Sequence, residues 1–268
     1  NFFDTARMYG GGKSEEFLGR ALAGRRDQAV VATKFGMERD QPDNGGSPAY
    51  VRASVERSLS ALGTDRIDLL QFHQPDPAVP VAETLGALQE LVHAGKVGAI
   101  GHSNFDAEQT AEAAAVTGDG PPFVTAQVEW SLLARSVEES VIDACAAHDL
   151  GVLPYFPLAS GMLTGKYRRD AELPSDSRLG AASYFADQFA NDANFAKVEA
   201  LTAWADGAGM SLLELAMSWL ASQPTVVSVI AGATRPEQAR ANAAACRPSL
   251  STDQLAEIDA VLAEASPG

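Results

Sequence analysis

The chain has 268 residues, 46% of them hydrophobic and 21% charged, a balance that supports the core of one large α/β domain and excludes a disordered chain. A formal net charge of −15 argues against nucleic acid or an anionic membrane surface as partner, because both demand basic patches. No apolar run is long enough to span a bilayer and no signal peptide is visible, so a cytoplasmic location is expected, with Cys145 and Cys246 as two buried or idle thiols outside any metal-ligand spacing.

In chain order, residues 1–6 form a short apolar run that reads as a strand and carries Asp4. Tyr9 follows, then a glycine turn at 10–12, with Ser14 as N-cap of a helix over 15–23. The run 30–34 reads as a strand ending in Lys34. Residues 48–62 show helical spacing at Val51, Val55, Leu59 and Leu62 and stop at Gly63. A strand over 67–73 ends in His73, and a helix over 81–94 is closed by Gly95. Further strands fall at 97–101, 123–128, 151–155 and 226–231, with helices from Asp106, over 137–148, over 211–221, from Pro236 and over 253–265.

Seven strands alternating with helices argue for a parallel sheet. Seven is one short of a closed eight-stranded barrel, and a strand preceding Asn1 would explain both the abrupt start and the odd count. The expected fold is therefore a (β/α)8 TIM barrel whose first strand lies before Asn1, with residues 1–268 as a single domain. Residues 160–194 are too long for an ordinary βα connection and are read as a substrate lid or a disordered insertion.

Asp4, Tyr9, Lys34 and His73 all stand at or just past the same end of their strands, the end at which parallel α/β folds bind ligands. An ammonium near a phenol makes it a stronger acid, a carboxylate holds that ammonium charged, and an imidazole can orient a substrate oxygen. Together they suit protonation of a carbonyl as it becomes an alkoxide. Singly, a Lys–Asp pair is as well read as a structural ion pair, and a lone histidine as a satisfied polar residue. Metal binding is not expected, since His93 and His148 read as helix-surface residues and His73 with His102 lacks a third ligand. Gly10 to Gly12 read as a turn rather than a phosphate-binding fingerprint.

Phe3-Asp4-Thr5-Ala6 with Tyr9-Gly10, Ser14-Glu15, Leu18-Gly19, Thr33-Lys34 and His73 resemble the signature of the aldo-keto reductases. So do Gly101 through Phe105, Gln127 with Glu129, Tyr155 through Leu158, Gly161 through Lys166, and Ile230, Gly232, Pro236-Glu237-Gln238 and Asn242. The resemblance runs the length of the chain and is nearest the bacterial branch and the related potassium-channel β subunits. It implies a small-molecule carbonyl substrate and NADPH, with Tyr9 as general acid tuned by Lys34 and Asp4, and His73 orienting the carbonyl. It further implies that Ser103, Asn104 and Gln127 hold the nicotinamide carboxamide and that Tyr155 stacks on the ring. Leu158, Ser160, Gly161 and Leu163 would approach the pyrophosphate, and Gly232, Thr234, Gln238 and Asn242 the adenosine.

NADH stays open, because Gly232-Ala233-Thr234 and Gln238 stand where many members carry a Lys or Arg for the 2′-phosphate; Arg235 or Arg240 could substitute. Met8, Phe35, Phe105, Trp130 and Phe156 are expected to line an apolar substrate pocket, which favours an aldehyde or ketone of apolar or aromatic character. Two other readings stand beside the reductase: a nicotinamide-binding regulatory subunit, and a barrel lyase using Lys34 as a Schiff-base nucleophile. No feature of the sequence fixes an oligomeric state.

Overall fold

Six apolar runs form the strands of one parallel sheet, in sequence order from first to last: β1 Phe2–Asp4, β2 Val30–Phe35, β3 Ile67–Phe72, β4 Val97–Ser103, β5 Phe123–Glu129 and β6 Gly151–Tyr155. The computed structural model describes residues 1–37, 45–181, 183–246 and 249–265. Between and after the strands lie α1 Lys13–Leu22, α2 Pro48–Leu62, α3 Val81–His93, α4 Ala107–Ala115, α5 Val141–Ala147, α6 Arg178–Ala181, α7 Ser183–Phe189, α8 Asp192–Gly207, α9 Leu212–Ala221, α10 Pro236–Ala245 and α11 Thr252–Glu264. The chain divides into two compact units, residues Asn1–Val128 with Glu138–Leu153, and Glu129–Val137 with Pro154–Gly268.

Local sequence explains the helix limits. Ser47 caps α2 by accepting from the Tyr50 amide, Pro48 occupies its first turn, and Gly63 ends it at φ 61°. Asp106 with Gln109, Ser211 with Glu214 and Ser251 with Gln254 build reciprocal capping boxes at α4, α9 and α11.

The strand period of two sets the functional layer. Ala32 and Leu69 are buried together in a core cluster against which Phe2 and Ala99 pack. Two residues further along the same strands come Asp4, Lys34, Gln71 and Gly101, so the same face turns from apolar to polar at the carboxyl ends of the strands. Gly101 must be glycine, since a Cβ there would collide with Thr125 Oγ1 and approach the Thr125 carbonyl oxygen to 2.9 Å.

Several expectations need correction. The sheet among the described residues has six parallel strands, where seven were expected after Asn1. The expected strand over 226–231 is not formed among the described residues: it shows a lone bridge at Val226, a backbone bond from the Ile230 amide to the Pro154 carbonyl at 3.4 Å, and a Val227 that is 64% exposed. A parallel strand needs both faces covered, and this run has only partial cover. The described part of residues 160–194, read as a lid or a disordered insertion, holds helical turns, which sets aside the disordered reading, and α8 went unread although Phe195, Val198, Leu201 and Ala205 give it a buried stripe. The helix expected over 137–148 breaks at Ser140 into a 3-10 turn, Ser136–Glu139, and α5.

Candidate active site

Lys34 lies on β2 and is 1% exposed, a burial that an ammonium tolerates only with partners. Its Nζ donates to Asp4 Oδ1 at 2.5 Å and to the Thr5 carbonyl at 2.9 Å. The other carboxylate oxygen of Asp4 accepts from Gln127 Nε2 at 2.9 Å and Gln71 Nε2 at 3.3 Å. Tyr9 stands over this pair, its ring centre 5.3 Å from Lys34 Nζ, and its edge meets the His73 ring at 6.0 Å between centroids. Tyr9 is 40% exposed, so the phenol is open to a ligand while the charges behind it are enclosed. The structure thus brings Asp4, Tyr9, Lys34 and His73 into one cluster.

Burial pushes the Lys34 ammonium below the usual lysine range, against the opposing pull of Asp4. His73 is held down to about 3, first by burial and then by the Lys34 charge. It is therefore a neutral imidazole near pH 7, able to donate one N–H and to accept at the other nitrogen.

Beside the cluster, Ser103 Oγ donates to the Gln127 carbonyl at 2.9 Å, and Asn104 Nδ2 donates to the His73 carbonyl at 2.9 Å and to Ser103 Oγ at 3.1 Å. Asn104 takes the left-handed conformation, φ 61°, which turns its amide back over the strand ends. The Gln127 amide protons point to Asp4 and to Gln71 Oε1 at 3.4 Å, so its side-chain oxygen is the group that can accept from a ligand. A carboxamide, which both donates and accepts, suits this set.

In the second unit, Tyr155 ends β6 with its phenol pushed up to about 12 by burial, then by the Glu129 and Tyr184 charges. The loop that follows holds positive φ at Phe156 (52°), Ala159 (44°), Ser160 (55°) and Gly161 (99°). Three such non-glycine residues in a row of six store backbone strain of about 1–3 kcal/mol each. Ser160 Oγ is buried and has no hydrogen-bond partner among the described residues, and Lys166 Nζ lies 2.9 Å from the place a Cβ on Gly161 would take. Leu163 is buried beneath the loop and Leu158 half-buried at its start. An unpartnered hydroxyl, a bare glycine and an ammonium on one tight loop fit a phosphate. Further on, Thr234 donates from its amide and hydroxyl to Gln238 Oε1 at 2.8 and 3.0 Å, and Asn242 Nδ2 donates to the Gly232 carbonyl at 3.4 Å. Arg235 faces Asp176 at 4.0 Å and Arg240 faces Glu237 at 3.8 Å, both loose and exposed.

The aromatic set expected around a substrate divides. Phe35 is buried and stacked on Phe72 at 5.0 Å, Phe105 is buried and stacked on His102 at 4.5 Å, and Trp130 is buried edge-to-face with Trp219 at 5.7 Å. Met8 and Phe156 keep partial exposure, and Phe156 lies under the Arg178 guanidinium at 4.8 Å.

Sequence reasoning passed over Gln71 and gave Glu15 and Lys166 no role in the site. Gln71 is fully buried in the polar layer, and an amide inside Ile-Asp-Leu-Leu-Gln-Phe was its signal. His102, considered only as a metal ligand, is a buried core imidazole between Phe105 and Phe123, with neither ring nitrogen hydrogen-bonded among the described residues.

Burial holds His102 down to about 3, and His73 shares that value. Both folded values lie below the unfolded value of about 6.5, so the unfolded chain takes up protons that the fold refuses. The stability these imidazoles lend is complete above pH 6.5 and declines as pH falls toward 3, by about 1.4 kcal/mol per pH unit for each. His102→Leu is expected to make urea stability measured from pH 6.5 to 4.5 less steep in pH. An unchanged slope would show that His102 is not a source of it.

A family model described as the aldo/keto reductase family matches residues 1–263. A probable voltage-gated potassium channel subunit beta from Arabidopsis thaliana is 38% identical over 251 residues, 90% of this chain and 76% of that one. An L-glyceraldehyde 3-phosphate reductase of Escherichia coli strain K12 is 32% identical over 277 residues, covering 98% and 80% respectively. The solved structure of a glycerol dehydrogenase from Gluconobacter oxydans superposes with a TM-score of 0.86 at 33% identity, covering all of this chain and 82% of that one. The polar layer at the strand ends and the match along nearly the whole sequence have one reading: the chain belongs to the aldo/keto reductase family and is an oxidoreductase.

Proposed function

We propose that this protein reduces an aldehyde or ketone to an alcohol using NADPH, with Tyr9 as the proton donor. The observation that carries this reading is an accessible phenol set over a buried Lys34–Asp4 pair and edge-on to a neutral His73. A bound reduced nicotinamide would supply the hydride. The substrate oxygen, gaining charge as hydride arrives, would accept a hydrogen bond from the His73 imidazole and the proton from the Tyr9 hydroxyl. Lys34, held by Asp4 and the Thr5 carbonyl, would stabilise the phenolate left behind. The same bonds commit Nζ to donating, which suits an ammonium and disfavours the Schiff-base reading.

Ser103, Asn104 and Gln127 would hold the carboxamide and Tyr155 the ring. Ser160, Gly161 and Lys166 would hold the pyrophosphate, supported by the unpartnered Ser160 hydroxyl. Thr234, Gln238, Asn242 and Gly232 would meet the adenosine, with Arg235 or Arg240 choosing NADPH over NADH. The names of two relatives turn the substrate toward small hydroxyaldehydes, so glyceraldehyde and its 3-phosphate belong in the assay beside aromatic aldehydes.

The test follows oxidation of NADPH and, separately, NADH over many turnovers with these aldehydes. Sustained turnover, faster with NADPH, is the expected outcome. Oxidation that stops at one equivalent would favour a nicotinamide-binding regulatory subunit instead; the plant relative is named a probable voltage-gated potassium channel subunit beta.

A further inference from the structure

Glu15 is a carboxylate with no exposed surface, in the first turn of α1. An acid at that position normally faces solvent and the helix dipole. This one instead turns inward. Its Oε1 accepts from Thr33 Oγ1 at 2.7 Å, and its Oε2 pairs with Arg7 at 3.4 Å. Thr33 immediately precedes Lys34 on β2, and Arg7 lies two residues before Tyr9. The Arg7 amide also donates to the Lys34 carbonyl at 3.2 Å. One buried carboxylate therefore ties the strand that carries the ammonium to the loop that carries the phenol.

The loop needs such a tie. Gly10, Gly11 and Gly12, which follow Tyr9, all have positive φ (61°, 64° and 92°), and three successive glycines are costly to hold in one conformation. The Arg7 guanidinium fills the space where a Cβ on Gly12 would lie, so the same arginine that reaches Glu15 packs the turn from inside. Thr5 Oγ1 and Ser14 Oγ, 2.7 Å apart, join the two ends of the loop.

We propose that Glu15 is a positioning residue, which through Arg7 and Thr33 fixes the Tyr9 hydroxyl against the Lys34 ammonium. The inference rests on the reading of Tyr9 as proton donor. Loss of the carboxylate charge would leave Lys34 and Asp4 in place and let the Tyr9 loop move away from them.

Glu15→Gln keeps the size and an acceptor for Thr33 but cancels the ion pair. It is expected to lower kcat about 10- to 100-fold, the scale of a small misplacement, with little change in cofactor Kd. The Tyr9 phenol, read as the ultraviolet titration difference from Tyr9→Phe, should ionise at higher pH once it is released from the Lys34 cation. Arg7→Lys should keep most of the activity, and Arg7→Met combined with Glu15→Gln should be no worse than either alone, as for one network. Thr33→Val supplies a second test, in kcat, where Glu15→Gln does not fold.

Wild-type kcat and an unmoved phenol titration in a folded Glu15→Gln protein would overturn the proposal. A loss confined to cofactor Kd or to thermal stability would also overturn it. Tyr9→Phe, assayed in parallel, separates the two failures: wild-type turnover there removes the proton-donor reading itself, while the phenol titration still judges Glu15.

Discussion

Tyr9→Phe is expected to lower kcat for carbonyl reduction by about 10²- to 10⁴-fold, the contribution of a positioned general acid. The substitution removes one oxygen. The ring keeps its edge contact with His73 and its place over Lys34 Nζ, so packing and the enclosed Lys34–Asp4 pair are retained. Cofactor affinity should hardly move, because the substitution leaves in place the bonds of Ser103, Asn104 and Gln127 to the Gln127 carbonyl, the His73 carbonyl and Asp4. His73 cannot replace the lost proton: at about 3 its conjugate acid is scarcely populated near pH 7, and a neutral imidazole is a far weaker acid than a phenol. Stopped-flow measurement of NADPH oxidation, with cofactor Kd from fluorescence titration, checks both halves. Turnover at the wild-type rate would sink the mechanism, and a loss traced wholly to Kd would move Tyr9 into the binding site.

Much of the site was legible because charge is conspicuous inside an apolar run. Asp4 and Lys34 interrupt hydrophobic strands at the same end, and a period of two then puts them on one face. Gln71 escaped notice because an uncharged amide in an apolar run is a weaker signal than a charge, although the register opposite Lys34 puts it in the same layer. Glu15 was hidden by its position, since an acid in a first helical turn is what a solvated helix also shows. The left-handed Ala159 and Ser160 could not be read at all, because neither residue type advertises a positive φ and the surrounding packing imposes it. At the fold level, alternation predicted a parallel sheet. Residues 226–231 have the β-branched composition of a strand without the cover that would make one, which is a tertiary property no local pattern contains.

The largest effect on stability is expected at the Lys34–Asp4 pair. Asp4→Leu removes the carboxylate from a lysine that is 1% exposed and takes the acceptor from Gln71 and Gln127. Breaking a buried pair on one side costs about 3–5 kcal/mol, because the remaining charge is left uncompensated. Burial already presses the Lys34 ammonium below its usual range with Asp4 opposing, so without Asp4 it should lose its proton more readily still. A lysine depressed in the fold binds fewer protons there than in the unfolded chain, so the Asp4→Leu protein should gain stability as pH rises. Adding Lys34→Met removes the second charge. Apolar replacement of both partners is often neutral or better, and the two glutamine donors and the Thr5 carbonyl would lose a partner, at about 1–3 kcal/mol each. The double variant should therefore recover a large part of the lost stability and the ordinary pH dependence, while turnover stays lost in both proteins. Urea unfolding across pH, read beside kcat, distinguishes the possibilities. A double variant as unstable as the single one would mean that uncompensated charge is not the source of the loss. A double variant that still turns over would mean that the pair serves the fold and not the proton transfer.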